Sequence, residues 1–229
     1  MVRALVLSDA HISRGNAGFD DAFLTWMRQN LPDLILCAGN LGPLAALQAL
    51  ATYTPKIHVV QGDCDSFAAP ERLLMRVDDV TIGMLHGYQL ASSTKETNGT
   101  LTINSSVLQL VAADIGVDLL IVGGPYGPRI HQVSVASKTC FIILPGCLAG
   151  PENTFTLARR LERERETRLK PSPPASEEEQ GKSSVSLAYR GPSMIAMDIS
   201  RAGADVYELI LDPKDTSKVQ IGDVQRLNL

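Results

Sequence analysis

Short apolar runs in the first half of the chain alternate with segments in which apolar residues recur at helical spacing. The runs predict buried strands, which lie at residues 2–7, 34–38, 57–60, 80–85 and 117–122. Helical spacing predicts two helices at residues 43–51 and 107–115, and the spacing of Phe23 and Met27 predicts an earlier one. From residue 132 onward the apolar runs follow one another without helices. This order predicts an α/β chain with helices packed over mixed β-sheets.

One segment of the chain differs sharply in composition. Residues 159–182 carry thirteen of the 46 charged side chains (21 basic and 25 acidic), and residues 171–174 read Pro-Ser-Pro-Pro. Such a segment cannot bury a core. We therefore expect a single domain over residues 1–229 with a charged, Pro/Ser-rich insertion at residues 159–188 that is a mobile surface loop. A docking or phosphorylation loop is the alternative for this insertion.

Composition and charge exclude several classes of protein. With 45% hydrophobic and 20% charged residues in 229, the chain is neither disordered nor collagen-like. No apolar run approaches the roughly 18 residues of a membrane span, and a net charge of −4 gives no support for nucleic-acid binding. The start of the chain lacks a signal peptide, and the four cysteines form no CxxC pair. We expect a cytoplasmic protein with reduced thiols.

Polar side chains follow four of the predicted strands at the point where each strand ends. They are Asp9, His11, Asn40, Asp63 and His86. Because ligands gather at the carboxyl ends of strands in α/β sheets, we expect these side chains to converge. Carboxylate, imidazole and amide groups are ligands for metal ions. Taken alone, Asp9 is equally explained as a turn cap, His58 as a core or edge-strand residue, and His131 as a solvent-facing one.

The order of these motifs resembles that of the calcineurin-like metallophosphoesterases, which read Asp-x-His, Gly-Asp/Asn, Gly-Asp/Asn and His-Gly. Within that fold, the chain is similar to the small-subunit family of the retromer coat, over residues 1–150 and 189–229. The segments that carry this second likeness are residues 36–41, 58–65, 82–89, 145–146 and 193–199. The resemblance implies an αββα sandwich of mixed β-sheets flanked by helices.

Several residues depart from the pattern of active family members. Asn40 stands where the resemblance implies a bridging aspartate, and Cys64 stands at the position of the catalytic histidine. Gly124 and Tyr126 replace both histidines of the terminal Gly-His-x-His motif. The resemblance therefore implies a degenerate site that is not catalytic, because the general acid is missing. The five polar residues would hold one zinc or manganese ion weakly, or none, and Cys64 as a soft ligand would favour zinc.

The resemblance also implies partner proteins. In the retromer family the vestigial cleft is covered by the α-solenoid subunit (vacuolar protein sorting-associated protein thirty-five), and the matching contacts here are Tyr88, Leu90 and Ala91. A loop folded back on the core is the alternative for this segment.

A second, apolar surface in the family receives regulators of small GTPases, and its matching positions are Val2, Ala196 and Tyr207. Ala196 is smaller than the aliphatic residue usual there, which would flatten this surface.

Three functions are compatible with these observations. The first is a non-catalytic scaffold subunit of retromer, peripheral on endosomes, that caps the C-terminal part of the α-solenoid subunit during cargo retrieval to the Golgi or plasma membrane. The second is a metal-dependent phosphodiesterase with an atypical site. The third is a small-molecule-binding domain that has lost its chemistry. The loss of the Gly-His-x-His motif favours the scaffold.

Overall fold

The computed structural model of the protein describes residues 1–12, 19–97, 100–103, 105–124, 126–135, 138–149, 192–212 and 214–229. The predicted insertion at residues 159–188 lies outside these ranges. Within them, no helix combines the length and apolar character that a membrane span requires.

The described residues form thirteen strands, three α-helices and one 3-10 helix. In chain order they are β1 (Val2–Leu7), α1 (Asp21–Gln29), β2 (Leu34–Cys37), α2 (Leu44–Leu50), β3 (Ile57–Val59), β4 (Arg72–Val77), β5 (Val80–His86), the 3-10 helix (Gly87–Ser93), β6 (Thr94–Thr97), β7 (Thr100–Ile103), α3 (Ser105–Ile115), β8 (Leu119–Gly123), β9 (Arg129–Val135), β10 (Lys138–Leu144), β11 (Ser193–Ser200), β12 (Gly203–Leu211) and β13 (Val219–Leu227).

Two mixed sheets form the body of the molecule. The first has the order β13-β12-β11-β1-β2-β3, in which β1, β2 and β3 are parallel and β11, β12 and β13 are antiparallel. The second has the order β4-β5-β8-β10-β9, with a parallel centre and antiparallel edges. Strands β6 and β7 pair in a separate hairpin.

Three apolar layers hold the sheets and helices together. Val6 of the first sheet and Ile121 of the second belong to one buried cluster between the two sheets. A second cluster joins the outer face of the first sheet to α1 and α2 through residues such as Phe23 and Leu50. The third packs α3 on the second sheet through Leu108 and Ala112. The predicted αββα sandwich is confirmed.

The pattern missed β4 and the hairpin of β6 and β7. In β4, exposed residues such as Arg72 and Arg76 alternate with half-buried ones, because this strand lies at the edge of its sheet. The hairpin is built largely of polar residues around Thr94 and Thr100, so it has no apolar run to detect. Strands of this kind are fixed by pairing with a neighbour and not by their own composition.

Candidate functional site

The polar strand ends converge at one edge of the two sheets. The loop after β1 pairs with the loop after β2, since Asp9 N donates to Gly39 O at 3.0 Å and His11 N donates to Asn40 O at 2.9 Å. His86 ends β5 and pairs in register with Gly123 at the end of β8. All five predicted residues therefore lie in one cleft.

The Asp9 carboxylate is fully buried at the centre of the cleft. Its Oδ1 accepts a hydrogen bond from Asn40 Nδ2 at 3.1 Å and lies 3.4 Å from His86 Nε2, while its Oδ2 accepts one from Gly124 N at 2.7 Å. Burial alone would raise the pKa of Asp9, but the contacts with His11 and His86 outweigh it and hold the pKa far below its usual range. The residue is ionised and supplied with donors.

The Asn40 amide connects the two carboxylates of the site. Its Nδ2 donates to Asp9 and, at 3.0 Å, to Asp63 Oδ1, while its Oδ1 accepts the Cys64 backbone N–H at 2.9 Å. The main chain of Asn40 is held by Asp65, whose Oδ2 also accepts the Gly62 N–H at 2.8 Å. Asp65 thus fixes the loops that carry Asn40 and Asp63.

The two histidines of the cleft, His86 and His11, differ in their hydrogen bonds. Tyr88 N donates to His86 Nδ1 at 3.2 Å, so the ring proton of neutral His86 lies on Nε2 and points at Asp9. His11 Nε2 lies 3.2 Å from Asp9 Oδ1 in an unaligned contact, and within the described part of the chain this buried nitrogen has no hydrogen-bond partner. Burial would lower the pKa of His11, but Asp9 and Cys64 raise it to about 10.

The backbone of the cleft is strained and tightly packed. Asp9, His11 and Asn40 have φ values of 54°, 45° and 59°, in the left-handed region that few non-glycine residues adopt. Gly62 packs so closely against the Asn40 amide that a Cβ atom would overlap it. Strain of this kind persists only where surrounding contacts fix it, and it is frequent at functional sites.

Sequence reasoning identified Gly124 and Tyr126 only as replacements of motif histidines and gave no role to Cys147, yet all three residues are neighbours of Asp9. The Gly124 N–H is one of its donors, the Cys147 thiol donates to the Asp9 main-chain oxygen at 3.2 Å, and the buried Tyr126 ring packs against Gly87 and Gly124. The sequence gives no signal that a backbone N–H will act as a donor, because every residue except proline carries one. For Asp65 a signal existed, because it follows Asp63 by two residues in a loop rich in polar residues.

Comparison with known proteins places this geometry in a family. The calcineurin-like phosphoesterase superfamily domain matches residues 2–160. The chain belongs to this superfamily. Among solved structures, it is similar to Vps29 complexed with Zn²⁺ from Entamoeba histolytica, with 20% identity, 99% of both chains covered and a TM-score of 0.67. It is also similar to Chaetomium thermophilum Vps29, with 19% identity, 100% of this chain and 99% of that one covered, and a TM-score of 0.66.

A bacterial relative shares the same fold. A predicted phosphoesterase from Streptococcus pneumoniae matches with 14% identity, 100% of this chain and 98% of that one covered, and a TM-score of 0.57. The TM-scores and the coverage of these three matches show a common fold.

A two-metal centre of the calcineurin-like phosphoesterases does not fit these residues. Asn40 turns its NH₂ group toward Asp9 and Asp63, and Gly124 and Tyr126 offer no imidazole. Over the described residues, no three His, Cys, Asp or Glu side chains gather as ligands of one ion. In the part of the chain that the structure describes, His11 Nε2 is the one buried side-chain polar atom without an aligned hydrogen bond, and it lies 3.2 Å from Asp9 Oδ1. The donors around Asp9 balance its charge, and Asn40 provides no carboxylate that could bridge two cations.

The predicted solenoid contacts lie beside the cleft, in the 3-10 helix. Tyr88 is half-buried, with its ring centroid 5.5 Å from that of His86, and Gln89 is exposed. Leu90 is half-buried against the α3 cluster and is less exposed than a free loop residue. The side chain of Ala91 lies outside the described part of the structure. The segment both covers the core and borders the cleft.

The predicted regulator patch needs a correction, because its three residues do not share a face. Ala196 and Tyr207 are register partners on the outer face of the first sheet, whereas Val2 packs into the cluster between the sheets. Side chains alternate along β1, so Arg3 takes the outer position and contacts Asp198 at 3.1 Å. Ala196 is also only 5% exposed.

The remaining histidines and cysteines are structural or peripheral. His58 is exposed on β3 at the sheet edge, as one of its two predicted explanations requires, and His131 is half-buried on β9. Cys37 and Cys140 are buried, as predicted. All four cysteines are free in the structure.

Proposed function

We propose that this protein is a non-catalytic, Vps29-like scaffold subunit of a retromer-type sorting coat. It would cap the C-terminal part of an α-solenoid subunit on endosomes, during cargo retrieval to the Golgi or plasma membrane. The proposal is supported by a calcineurin-like site without its bridging carboxylate, together with a fold similar to Vps29 structures over the whole chain.

The chemistry of the cleft supports a silent site. Phosphodiester hydrolysis needs a nucleophile activated by metal ions and an acid that protonates the leaving group. Cys64 is an exposed thiol where the family has an imidazole, and Asn40 is neutral where the charge of two cations must be balanced. Asp9 is already surrounded by protein donors.

The surface beside the cleft supports a docking role. Tyr88 and Leu90 present apolar area that is half accessible, and exposed Gln89 lies between them. Residues of this kind, an aromatic and an aliphatic side chain on a supported segment, often anchor partner proteins. The 3-10 helix is held in place because Leu90 packs on the α3 cluster and Tyr88 N donates a hydrogen bond to His86 Nδ1.

Binding to a purified α-solenoid subunit tests the proposal. We expect Leu90→Asp to weaken binding about 100-fold, because an unpaired carboxylate buried at an interface costs several kcal/mol. Leu31→Asp is the matched control, since Leu31 is 61% exposed and precedes β2, at the end of that strand opposite the cleft. Isothermal titration calorimetry measures both, and circular dichroism checks that each variant is folded.

Leu90 also packs on the core, so Leu90→Asp could weaken binding by disturbing the fold. A second variant at an exposed position separates these two effects. Gln89→Arg adds bulk and charge at an exposed position of the same segment, and we expect roughly tenfold weaker binding. Wild-type affinity in folded Leu90→Asp and Gln89→Arg would reject this interface. An affinity pull-down from native cytosol that returns no large helical-repeat protein would reject the scaffold itself.

The gathering of His11 and His86 around the Asp9 carboxylate favours a second candidate, a metal-dependent phosphodiesterase. Turnover of bis(p-nitrophenyl) phosphate with added Mn²⁺ measures it directly. Activity that is present in the wild type and lost in Asp63→Ala would establish the enzyme, whereas no turnover in the wild type would remove it.

A further inference from the structure

The Asn40 amide lies between the carboxylates of Asp9 and Asp63, at the position where the resemblance implies a bridging aspartate. We infer that the centre of this protein is built to be metal-independent, with the Asn40 NH₂ group holding Asp9 and Asp63 together in place of a cation. Both amide hydrogens are used, at 3.1 Å to Asp9 Oδ1 and 3.0 Å to Asp63 Oδ1. This inference concerns the site itself and holds whether or not the proposed partner binds.

The orientation of the amide carries the inference. Its Oδ1 accepts the Cys64 N–H at 2.9 Å, so three contacts agree on which end is nitrogen. A metal ligand would have to turn its oxygen toward the ions. Flipping Asn40 would set that oxygen against two carboxylates and set its NH₂ against the Cys64 N–H, which makes every contact repulsive. The two acceptor carboxylates and the Cys64 N–H donor therefore lock the amide in the orientation that a metal cannot use.

The other two partners of Asp9, His86 and Gly124, also support a site without a metal. His86 takes the Tyr88 N–H on Nδ1, so its Nε2 is the protonated nitrogen and faces Asp9 as a donor without a free lone pair. The Gly124 N–H takes the second oxygen of Asp9 at 2.7 Å. Gly124 offers no side chain to a metal, and its main-chain N–H donates to Asp9. Both oxygens of Asp9 are satisfied by the protein itself.

The tight fit of the site leaves the amide little freedom. Gly62 touches Asn40, and a Cβ there would overlap both its side-chain oxygen and its main-chain nitrogen. The Asn40 main chain, at a φ of 59°, is tied to Asp65 through its N–H. Any rearrangement toward metal coordination would have to break these contacts together. The site is rigid in its hydrogen-bonded form.

Thermal unfolding of the full chain tests the inference. We expect the melting temperature of the wild type to be the same in excess EDTA and with added MnCl₂. Elemental analysis of the protein as purified is expected to find less than one metal ion per chain. A stoichiometric ion, or a melting temperature that EDTA lowers or Mn²⁺ raises, would overturn the inference.

Substitution of Asn40 by aspartate is expected to create a stabilising response to Mn²⁺ that the wild type lacks. Asn40→Asp places a third carboxylate between Asp9 and Asp63 and removes both donors, so in EDTA we expect the melting temperature to fall by about 5–10 °C. The new carboxylate is a manganese ligand, and Mn²⁺ is expected to restore most of the loss. Asn40→Ala removes the donors without adding charge, so it should lose stability without a response to Mn²⁺.

Asn228→Asp is the matched control, because it makes the same chemical change at an exposed position near the end of the chain. It is expected to melt like the wild type in both conditions. Wild-type stability in Asn40→Ala, or no Mn²⁺ response in folded Asn40→Asp, would contradict the role of the amide. If Asn40→Asp does not fold in either condition, the wild-type metal content and EDTA response decide.

Discussion

At the scale of single residues, Asp9 organises the cleft because a buried charge must be matched by donors. Its carboxylate draws contacts from the ends of β2, β5 and β8, through Asn40, His86 and Gly124. Leaving such a group without partners would cost several kcal/mol, so the strand ends are tied to one another through it. The strained backbone at Asp9 and Asn40 follows from this requirement.

Gly62 is the residue on which the close packing of the cleft depends. We expect Gly62→Ala to lower the free energy of unfolding by about 2–3 kcal/mol, because the new methyl group displaces the Asn40 amide and its hydrogen bonds. Gly127→Ala, at an exposed glycine with open space around its Cα, is the control and should be nearly neutral. Urea denaturation measures both, and equal stability of the two variants would show that Asn40 yields without cost.

At the scale of secondary-structure elements, Asp118 connects three neighbouring strands just before β8. Its Oδ2 accepts the Thr81 N–H of β5 at 2.7 Å, and its Oδ1 contacts Lys138 Nζ of β10 at the same distance. Burial would raise the pKa of Asp118, but the contacts with Lys138 and Thr81 outweigh it and lower the pKa. The carboxylate therefore stabilises the register of the parallel centre of the second sheet.

The lowered pKa fixes the sign of a pH effect. A carboxylate whose pKa is lower in the folded state adds stability that is complete above its unfolded value, about 4, and is lost as pH falls through the folded value. We expect Asp118→Asn to lose about 1 kcal/mol at neutral pH and to approach the wild type in acid. Chemical denaturation across pH measures the difference between the two proteins.

Asp79→Asn is the control for this effect, since its carboxylate is 60% exposed and pairs with arginines at the surface. Exposed ion pairs contribute little, so its effect on stability should be less than about 0.5 kcal/mol. A loss in Asp118→Asn that persists unchanged into acid would rule out the ion pair as its cause.

At the scale of the whole molecule, two sheets share one inner core while each carries its own outer helices. Ile121 lies at the middle of this arrangement, fully buried between the sheets on β8 and paired with Met84 on one side and Ile143 on the other. The cleft lies at the edge of this inner core, so its geometry depends on how the sheets stack.

Truncation of Ile121 tests this dependence. We expect Ile121→Ala to lower the free energy of unfolding by about 3–4 kcal/mol, because a central cavity cannot be filled by neighbours in two rigid sheets. Leu110→Ala on α3 is the control, since Leu110 is 69% exposed and should change stability by less than about 0.5 kcal/mol. Guanidinium unfolding compares the two, and a similar small loss in both would contradict a shared core.

Prediction from the sequence was most complete for the elements that a single signal, such as a continuous apolar run, identifies. Continuous apolar runs located the buried strands, such as β1 and β8, because burial on both faces requires them. The end of each strand then located Asp9, Asn40 and His86. The edge strand β4 and the hairpin of β6 and β7 were missed, since their residues are not consistently apolar and only a neighbouring strand fixes them.

The sequence by itself determined an α/β fold with helices over mixed sheets and the residues that line its cleft, because hydrophobic periodicity and strand ends are local properties. Only the tertiary structure decided which way the Asn40 amide points, that Gly124 serves as a donor to Asp9, and that Val2 and Ala196 lie on opposite faces of one sheet. These features depend on contacts between residues far apart in the chain. A hydrogen bond needs both partners in place, and here the two partners are far apart in the sequence, so the position of one does not predict the other.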